Sequence, residues 1–240
     1  MLELDRPAVL QALECGTIKP QGRFLYGSNY TLLVDVAWQS RTIEAVYKPS
    51  RGEQPLWDFP AGTLAGREVA AYLVSQASGW DFVPPTVLRL DGPAGAGSLQ
   101  QFIPLYQERH YFTLSAKEKE ALRPVAVFDA LVNNADRKGG HVLCGLDERI
   151  WLIDHGLCFH QDDKLRTVVW DFAGQPIEPA LLQAVADVCR RAADGPLNEQ
   201  LAGHLSPGEI EALVARGRRL AAGRTYPLPG QRRPYPWPLV

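Results

Sequence analysis

The amino-acid sequence predicts a bilobal α+β fold, with a small β-rich N-terminal lobe over residues 1–104 and a mostly helical C-terminal lobe over residues 105–240. Short runs of strand-like residues, several of them alternating, dominate the N-terminal part. From Ser115 onward the pattern is mostly helical, and two capping boxes, Ser115–Glu118 and Ser206–Glu209, mark helix starts. The chain has 240 residues, of which 46% are hydrophobic, so it can bury a core as one domain or as two small lobes.

The predicted N-terminal lobe combines strands with one helix. Gly22–Asn29 contains a Gly-Ser-Asn turn between two strands. Gly66–Val74 has apolar residues at helical spacing, with Glu68 near its start. Strands are predicted over Tyr30–Val36, Ile43–Lys48, 83–90 and 98–104.

The predicted C-terminal lobe is helical around one hairpin. Val125–Val132 indicates a buried helix that leads into Asn133 and Asn134, and Pro124 separates it from a shorter helix before it. Two apolar runs, 141–146 and 149–153, flank the polar pair Asp147-Glu148 and predict a β-hairpin. An amphipathic helix follows over Pro179–Arg191.

The last helix and the tail have unusual compositions. Arg216, Arg218 and Arg219 make the last helix basic. A basic helix can contact acidic lipid headgroups, but we expect these arginines to lie on a solvated face. The tail 226–238 is rich in proline and aromatic residues, so we expect it to be extended and to pack on the C-terminal lobe. The alternative for this tail is recognition of a protein partner.

Asp136, His141 and Asp154 form the most informative arrangement in the chain. His141 lies five residues after Asp136, across the cationic, glycine-containing turn 137–140, and Asp154 ends the predicted hairpin. Because a hairpin returns the chain, Asp154 should lie beside His141. In phosphoryl transfer a carboxylate orients the attacking hydroxyl while metal ligands hold a divalent ion across the phosphates, and kinases place these groups at this spacing. The stretch therefore predicts a kinase active site.

The same stretch resembles the catalytic and metal-binding loops of the phosphatidylinositol 3-/4-kinase family. The matching residues are Asn134–Arg137, the Gly-Gly-His run 139–141 and Ile153–Cys158. The resemblance is strongest to the type II phosphatidylinositol 4-kinases and their plant relatives, and more narrowly to an actinobacterial group of related proteins. It covers about residues 20–175 and implies a protein-kinase-like fold with ATP as phosphate donor. It also implies Asp136 as the catalytic aspartate, with Arg137 and Lys138 beside it, and Asp154 as a metal ligand.

The upstream segments acquire nucleotide-binding roles on this interpretation. In kinases a strand lysine contacts the α- and β-phosphates and pairs with a helix glutamate, which assigns these roles to Lys48 and Glu68. The turn with Ser28 and Asn29 is placed to lay a hydroxyl and backbone N–H groups over phosphates. Adenine is expected at the backbone of Gln101, Phe102 and Ile103. Without the downstream motif, these features are also compatible with a solvated lysine and ordinary hairpins.

His141 departs from the family pattern, which has asparagine as the second metal ligand. Magnesium prefers hard oxygen ligands, whereas imidazole suits softer divalent ions. Three interpretations remain open: a manganese-preferring enzyme, a one-metal enzyme in which His141 contacts phosphate, and an ATP-binding pseudokinase. Expected cofactors are thus ATP with Mg²⁺ or Mn²⁺. A zinc hydrolase is disfavoured because no zinc-binding spacing surrounds His155 and His160, which we expect to be structural.

Composition excludes several other classes. A net charge of -2, from 25 basic and 27 acidic residues, gives no global field to attract nucleic acid. The four cysteines are scattered, no signal peptide pattern appears, and no apolar run approaches the roughly 18 residues that indicate a membrane span. We therefore expect a cytoplasmic protein without an integral membrane segment.

The sequence thus predicts an ATP-dependent phosphotransferase whose acceptor is a hydroxyl compound. The resemblance points to an inositol-type alcohol or lipid as acceptor, and a protein substrate is the alternative. A eukaryotic-type protein kinase is disfavoured because the Ala-Pro-Glu motif is absent from the segment after Gly156.

Overall fold

A five-stranded antiparallel sheet forms the N-terminal part of the computed structural model, which describes residues 5–23, 30–231 and 233–240. Its strands are β1 (Thr17–Arg23), β2 (Leu32–Trp38), β3 (Arg41–Pro49), β4 (Thr86–Gly92) and β5 (Gly95–Gln101). Their spatial order is β1-β2-β3-β5-β4. The predicted strands 30–36, 43–48, 83–90 and 98–104 all overlap strands of this sheet.

Helix α1 (Arg6–Cys15) covers one face of the sheet, with Val9 and Leu13 in a core shared with Ala45 and Tyr47 of β3. Side chains alternate along a strand, so Val46 and Lys48 lie on the opposite face. That face lines the cleft described below.

Helix α2 (Leu64–Ser78) includes the predicted helix 66–74 and joins the sheet to the helical part. Ten of its residues are buried, including Arg67 and Glu68. Gly66 makes this close packing feasible, because a Cβ atom there would lie 3.0 Å from the backbone carbonyl of His204. The helix that carries Glu68 is therefore held against both parts of the molecule.

The C-terminal part packs around α4 (Arg123–Val132), in which every residue from Val125 to Val132 is buried. The predicted capping boxes are confirmed at the starts of the short α3 (Ala116–Lys119) and of α7 (Pro207–Gly223). The remaining helices are α5 (Pro179–Asp194) and α6 (Pro196–Ala202). Together they enclose the larger hydrophobic core.

A three-stranded antiparallel sheet lies between these helices and the cleft. It consists of β6 (Leu105–His110), β7 (Val142–Gly145) and β8 (Ile150–Leu152) in the order β6-β7-β8. The predicted hairpin is confirmed, with Val142 opposite Leu152. The Ile153 N–H donates to the His141 carbonyl at 3.2 Å, so Asp154 follows directly beside His141.

One prediction for the last helix is wrong. Arg216 is not on a solvated face but is buried, with only 4% of its surface exposed. Its guanidinium donates to the backbone carbonyls of Leu131 and His160, each at 3.0 Å. Arg216 therefore connects α7 to α4 and to the segment around His160.

The tail packs on the C-terminal part through its backbone and prolines rather than through all of its aromatic rings. Tyr226 is buried and donates to Glu178 at 2.8 Å. Trp237, in contrast, is 77% exposed. None of the helices in the described ranges is long and apolar enough to cross a membrane.

Candidate active site

A cleft of about 720 Å³ opens between the five-stranded sheet and the C-terminal part. With the exception of Arg137, each described residue predicted to bind nucleotide, metal or acceptor lines it. These residues are Lys48, Glu68, Gln101, Phe102, Ile103, Asp136, Lys138, His141 and Asp154. The fold thus brings together side chains that are up to 106 positions apart in sequence.

Lys48 lies at the centre of an ion-pair network inside the cleft. Its ammonium is 2.5 Å from Glu68 Oε1 on α2 and 3.0 Å from Asp154 Oδ1 after the hairpin. Burial alone would lower the pKa of Lys48, but Asp154 and Glu68 outweigh it and raise the pKa above its ordinary value. The lysine is therefore a fixed positive charge.

Glu68 also contacts the loop that carries Asp154. Its second oxygen, Oε2, accepts the backbone N–H of His155 at 2.9 Å. One carboxylate therefore fixes both Lys48 and the backbone next to Asp154. Asp154 has a φ of +61°, a left-handed conformation that is uncommon for a residue other than glycine and that is often found at functional sites.

Asp136 lines the same cleft as Lys48. Its carboxylate is 3.2 Å from the Lys138 ammonium, and its backbone N–H donates to the Asn134 side chain at 2.9 Å. Burial raises the pKa of the Asp136 carboxyl to about 6, although Lys138 opposes this shift. A carboxylate with a raised pKa in a cleft is suited to accept a proton from a hydroxyl group.

His141 and Asp154 are placed to hold one divalent ion. His141 Nε2 is 3.4 Å from Asp154 Oδ2, close to the ~3 Å that separates adjacent ligands in an octahedral site with bonds of about 2.1 Å. Burial lowers the pKa of His141 to about 4, so the imidazole is neutral and has a lone pair for a metal. No cluster of three or more metal-binding side chains occurs among the described residues, so an ion held by these two side chains would need further ligands from a nucleotide or from water.

Arg137 occupies a different place from its neighbours Asp136 and Lys138 in the segment 134–141, which is called the catalytic loop below. Its guanidinium is fully buried and pairs with the equally buried Asp129 of α4 at 3.0 Å. It also donates to the Ile153 carbonyl at 2.9 Å and lies 2.8 Å from His155 Nε2. The side chain does not line the cleft, so it positions the loops of Asp136 and Asp154 relative to each other.

The predicted adenine-binding backbone, 101–103, follows the inner strand β5, which ends at Gln101. The N–H groups of Gln101 and Phe102 donate to the carbonyls of Pro85 and Glu44, at 2.9 and 3.0 Å. Ile103 N–H has no backbone partner within the ranges that the structure describes. This donor is therefore the one best placed for a ligand.

The predicted phosphate turn with Ser28 and Asn29 lies outside the described residues. Tyr30 and Thr31, which follow it, line the cleft. The role of the turn stays a prediction.

Two further residues hold the site together: His155, which the sequence predicted to be structural, and Arg67, which sequence reasoning missed. His155 is buried between Arg137 and Glu68, and its position directly after Asp154 was its only signal. Arg67, beside Glu68 on α2, pairs with Glu209 of α7 and donates to the Cys158 carbonyl at 2.6 Å. The contacts of His155 with Glu68, and of Arg67 with Glu209 and Cys158, link the N-terminal part to the C-terminal part.

Comparison with solved structures defines the class of fold. A Golgi casein kinase with Mn and ADP bound superposes with a TM-score of 0.60, over 98% of this chain and 80% of that chain, at 14% identity. The Helicobacter pylori proinflammatory kinase CtkA superposes with a TM-score of 0.53, over 89% of this chain and 94% of that one, at 12% identity. The predicted kinase-like bilobal α+β fold is confirmed.

The chain belongs to the family of Protein Rv2133c from Mycobacterium tuberculosis. The two are 43% identical over an alignment of 258 positions, which covers 93% of this chain and 92% of that protein. No family model matches the sequence. The closer resemblance to phosphatidylinositol kinases and the division of the chain near residue 104 stay predictions.

Proposed function

We propose that this protein is an ATP- and metal-dependent phosphotransferase that moves the γ-phosphoryl group to a hydroxyl acceptor. The observation that carries the proposal is the meeting of Lys48, Glu68 and Asp154 in one network, inside the cleft that Asp136 also lines. Phosphoryl transfer depends chiefly on positioning and charge, and these groups supply both.

Each side chain has a defined task in this proposal. Lys48, fixed by Glu68, binds the α- and β-phosphates, and the Ile103 N–H binds adenine. Asp136 orients the acceptor hydroxyl and takes its proton, which the raised pKa favours. Lys138 balances the charge that develops next to Asp136.

Asp154 and His141 are the proposed metal ligands. A divalent ion bound there would bridge phosphate oxygens and neutralise their charge. Because one ligand is imidazole, we infer a preference for Mn²⁺ over Mg²⁺. The Golgi casein kinase with the same fold was solved with Mn bound, which supports this choice.

The acceptor is proposed from the resemblance to phosphatidylinositol 3-/4-kinases, which implies an inositol-type alcohol or lipid. A protein acceptor is the alternative, because a Golgi casein kinase has the same fold. Fold similarity alone does not choose between these acceptors.

A transfer assay tests the proposal. The protein is incubated with γ-labelled ATP and either Mg²⁺ or Mn²⁺, together with inositol lipids, soluble inositols or extract proteins. We expect label to leave ATP with the wild type but not with Asp136→Asn or Asp154→Ala. Asp162→Asn is the matched control, because its carboxylate is on the exposed surface. Turnover that survives in both cleft variants would refute the assignment.

An ATP-binding pseudokinase is the second candidate, and the substitution of His141 for the expected asparagine favours it. Such a protein would bind Mn²⁺ and ADP without consuming ATP. The same assay, combined with calorimetric titration of ADP, separates the two functions.

A further inference from the structure

The tail segment, residues 234–240, lies against the catalytic loop and reaches into the cleft. Pro238 and Val240 line the same cleft as Asp136 and Lys138. The tail is thus part of the candidate active site, a role that its proline-rich sequence did not reveal.

Backbone hydrogen bonds hold the tail segment in place. The Pro234 carbonyl accepts both the Thr167 N–H at 3.1 Å and the Trp170 indole N–H at 3.2 Å. Five residues later, the Leu239 carbonyl accepts the Gly139 N–H at 2.7 Å. Extended, proline-rich backbone has unpaired carbonyls to offer, which suits it to this docking.

The glycines of the catalytic loop allow this approach. A Cβ atom on Gly139 would lie 2.4 Å from the Phe112 ring and 3.4 Å from the Leu239 carbonyl. A Cβ atom on Gly140 would be in contact with Val240 at 3.7 Å. The loop between Lys138 and His141 is therefore shaped to receive the tail.

We propose that Pro238 and Val240 form a wall of the acceptor half of the cleft and restrict which hydroxyl compounds reach Asp136. This inference rests on the proposed function for the identity of the acceptor, but not for the position of the wall. The side chains of Pro238 and Val240 are apolar, and they line the same cleft as Lys138.

The wall favours a compact alcohol over an extended polypeptide as acceptor. A polypeptide that lay along the catalytic loop would need backbone donors there. The tail already occupies the N–H groups of Gly139 and Thr167. A small hydroxyl compound needs neither donor, only the space between the wall and Asp136.

Lysine labelling tests the wall without requiring catalysis. The full chain is treated with acetic anhydride, and the modification rates of Lys138 and Lys48 are measured by mass spectrometry relative to exposed Lys117. We expect Val240→Gly to raise the Lys138 rate at least ~3-fold and Val240→Trp to lower it, with Lys48 unchanged. Leu228→Gly is the matched control, since Leu228 is an exposed tail residue outside the cleft lining.

Two results would overturn the wall. Lys138 rates equal to those of the Leu228→Gly control would show that the tail does not cover the acceptor half. A parallel rise at Lys48 would show general opening of the cleft. If circular dichroism shows that Val240→Gly does not fold, the same labelling of Val240→Trp and Pro238→Ala tests the wall, and Lys138 rates equal to the control in both would overturn it.

ATP turnover then tests the link to the acceptor. With Mn²⁺ and ATP, Val240→Gly should hydrolyse ATP at least ~3-fold faster than wild type with an unchanged KM for ATP, because water gains access. Transfer to dephosphorylated casein by the wild type, faster than hydrolysis, would overturn the preference for a compact acceptor. If the wild type binds Mn²⁺ and ADP but consumes no ATP, while Lys138 labelling responds as expected, the wall stands and the proposed function fails.

Discussion

Removing the charge of Asp136 should abolish phosphoryl transfer and at the same time stabilise the ligand-free protein. Burial raises the pKa of Asp136 from 3.8 to about 6, so the ionised carboxylate is less favourable in the folded chain than in the unfolded chain. At about 1.4 kcal/mol per pKa unit, this difference costs about 3 kcal/mol of stability at neutral pH. Asp136→Asn removes this cost but leaves Lys138 without its partner, so we expect a net gain of about 1–3 kcal/mol.

The sign of the pH dependence follows from the direction of the pKa shift. The folded-state pKa of Asp136 is raised, so its contribution to the free energy of unfolding is most favourable at low pH. This contribution decreases as the pH rises from about 4 to about 6. The advantage of Asp136→Asn should therefore be small at pH 4.5, grow up to about pH 6 and stay constant above pH 7. Thermal melting of both proteins across this range measures it, with roughly 2–4 °C expected per kcal/mol for a chain of this size.

Asp162→Asn serves as the control, because this exposed change should alter stability by less than about 0.5 kcal/mol. An Asp136→Asn protein that is less stable than wild type at pH 8 would contradict the reasoning. A difference in melting temperature that does not change between pH 4.5 and pH 8 would contradict it as well. The wild-type ATP turnover should, for the same reason, fall as pH decreases below about 6.

Three further predictions follow from the site. Lys48→Met should reduce ATP turnover at least ~100-fold, measured with γ-labelled ATP, because the neutral side chain loses the proposed contact with the phosphates; turnover within tenfold of wild type would contradict this. His141→Asn should shift the activity ratio from Mn²⁺ toward Mg²⁺ in paired assays, whereas His204→Asn, outside the cleft, should leave the ratio unchanged. Arg137→Met should lower the free energy of unfolding in urea by about 3–5 kcal/mol, because Asp129 is left buried without its partner, and a loss below 1 kcal/mol would contradict the buried ion pair.

Local patterns in the sequence predicted the central part of the site. The β7–β8 hairpin depends on neighbouring residues, so its register could be anticipated, and with it the approach of Asp154 to His141. Lys48 and Glu68 are separated by only 20 positions, on a strand and the next helix. The ion pair between these two residues was therefore predicted from the kinase pattern of a strand lysine and a helix glutamate.

Long-range partners could not be predicted in the same way. The sequence placed Arg137 in a cationic loop, but its charge is neutralised by Asp129 within the core. A single carboxylate inside the apolar run Val125–Val132 was the available signal, because a buried charge requires a partner.

Arg216 had a comparable signal. It lies three residues after Leu213 and four before Leu220, and therefore on the buried face of α7. The charge of the helix as a whole obscured this spacing. The docking of the tail had no local signal, since Pro234 and Leu239 bind through backbone carbonyls, which every sequence provides.

The central claim is that Asp136 and the Lys48 network form a working phosphotransferase site. Release of label from γ-labelled ATP with Mn²⁺ at pH 7.5, to any acceptor including water, tests it most directly. We predict measurable release by the wild type and a rate at least ~100-fold lower for Asp136→Asn, with ADP binding retained. Equal rates for the two proteins, or no release by a wild type that binds Mn²⁺ and ADP, would contradict the claim.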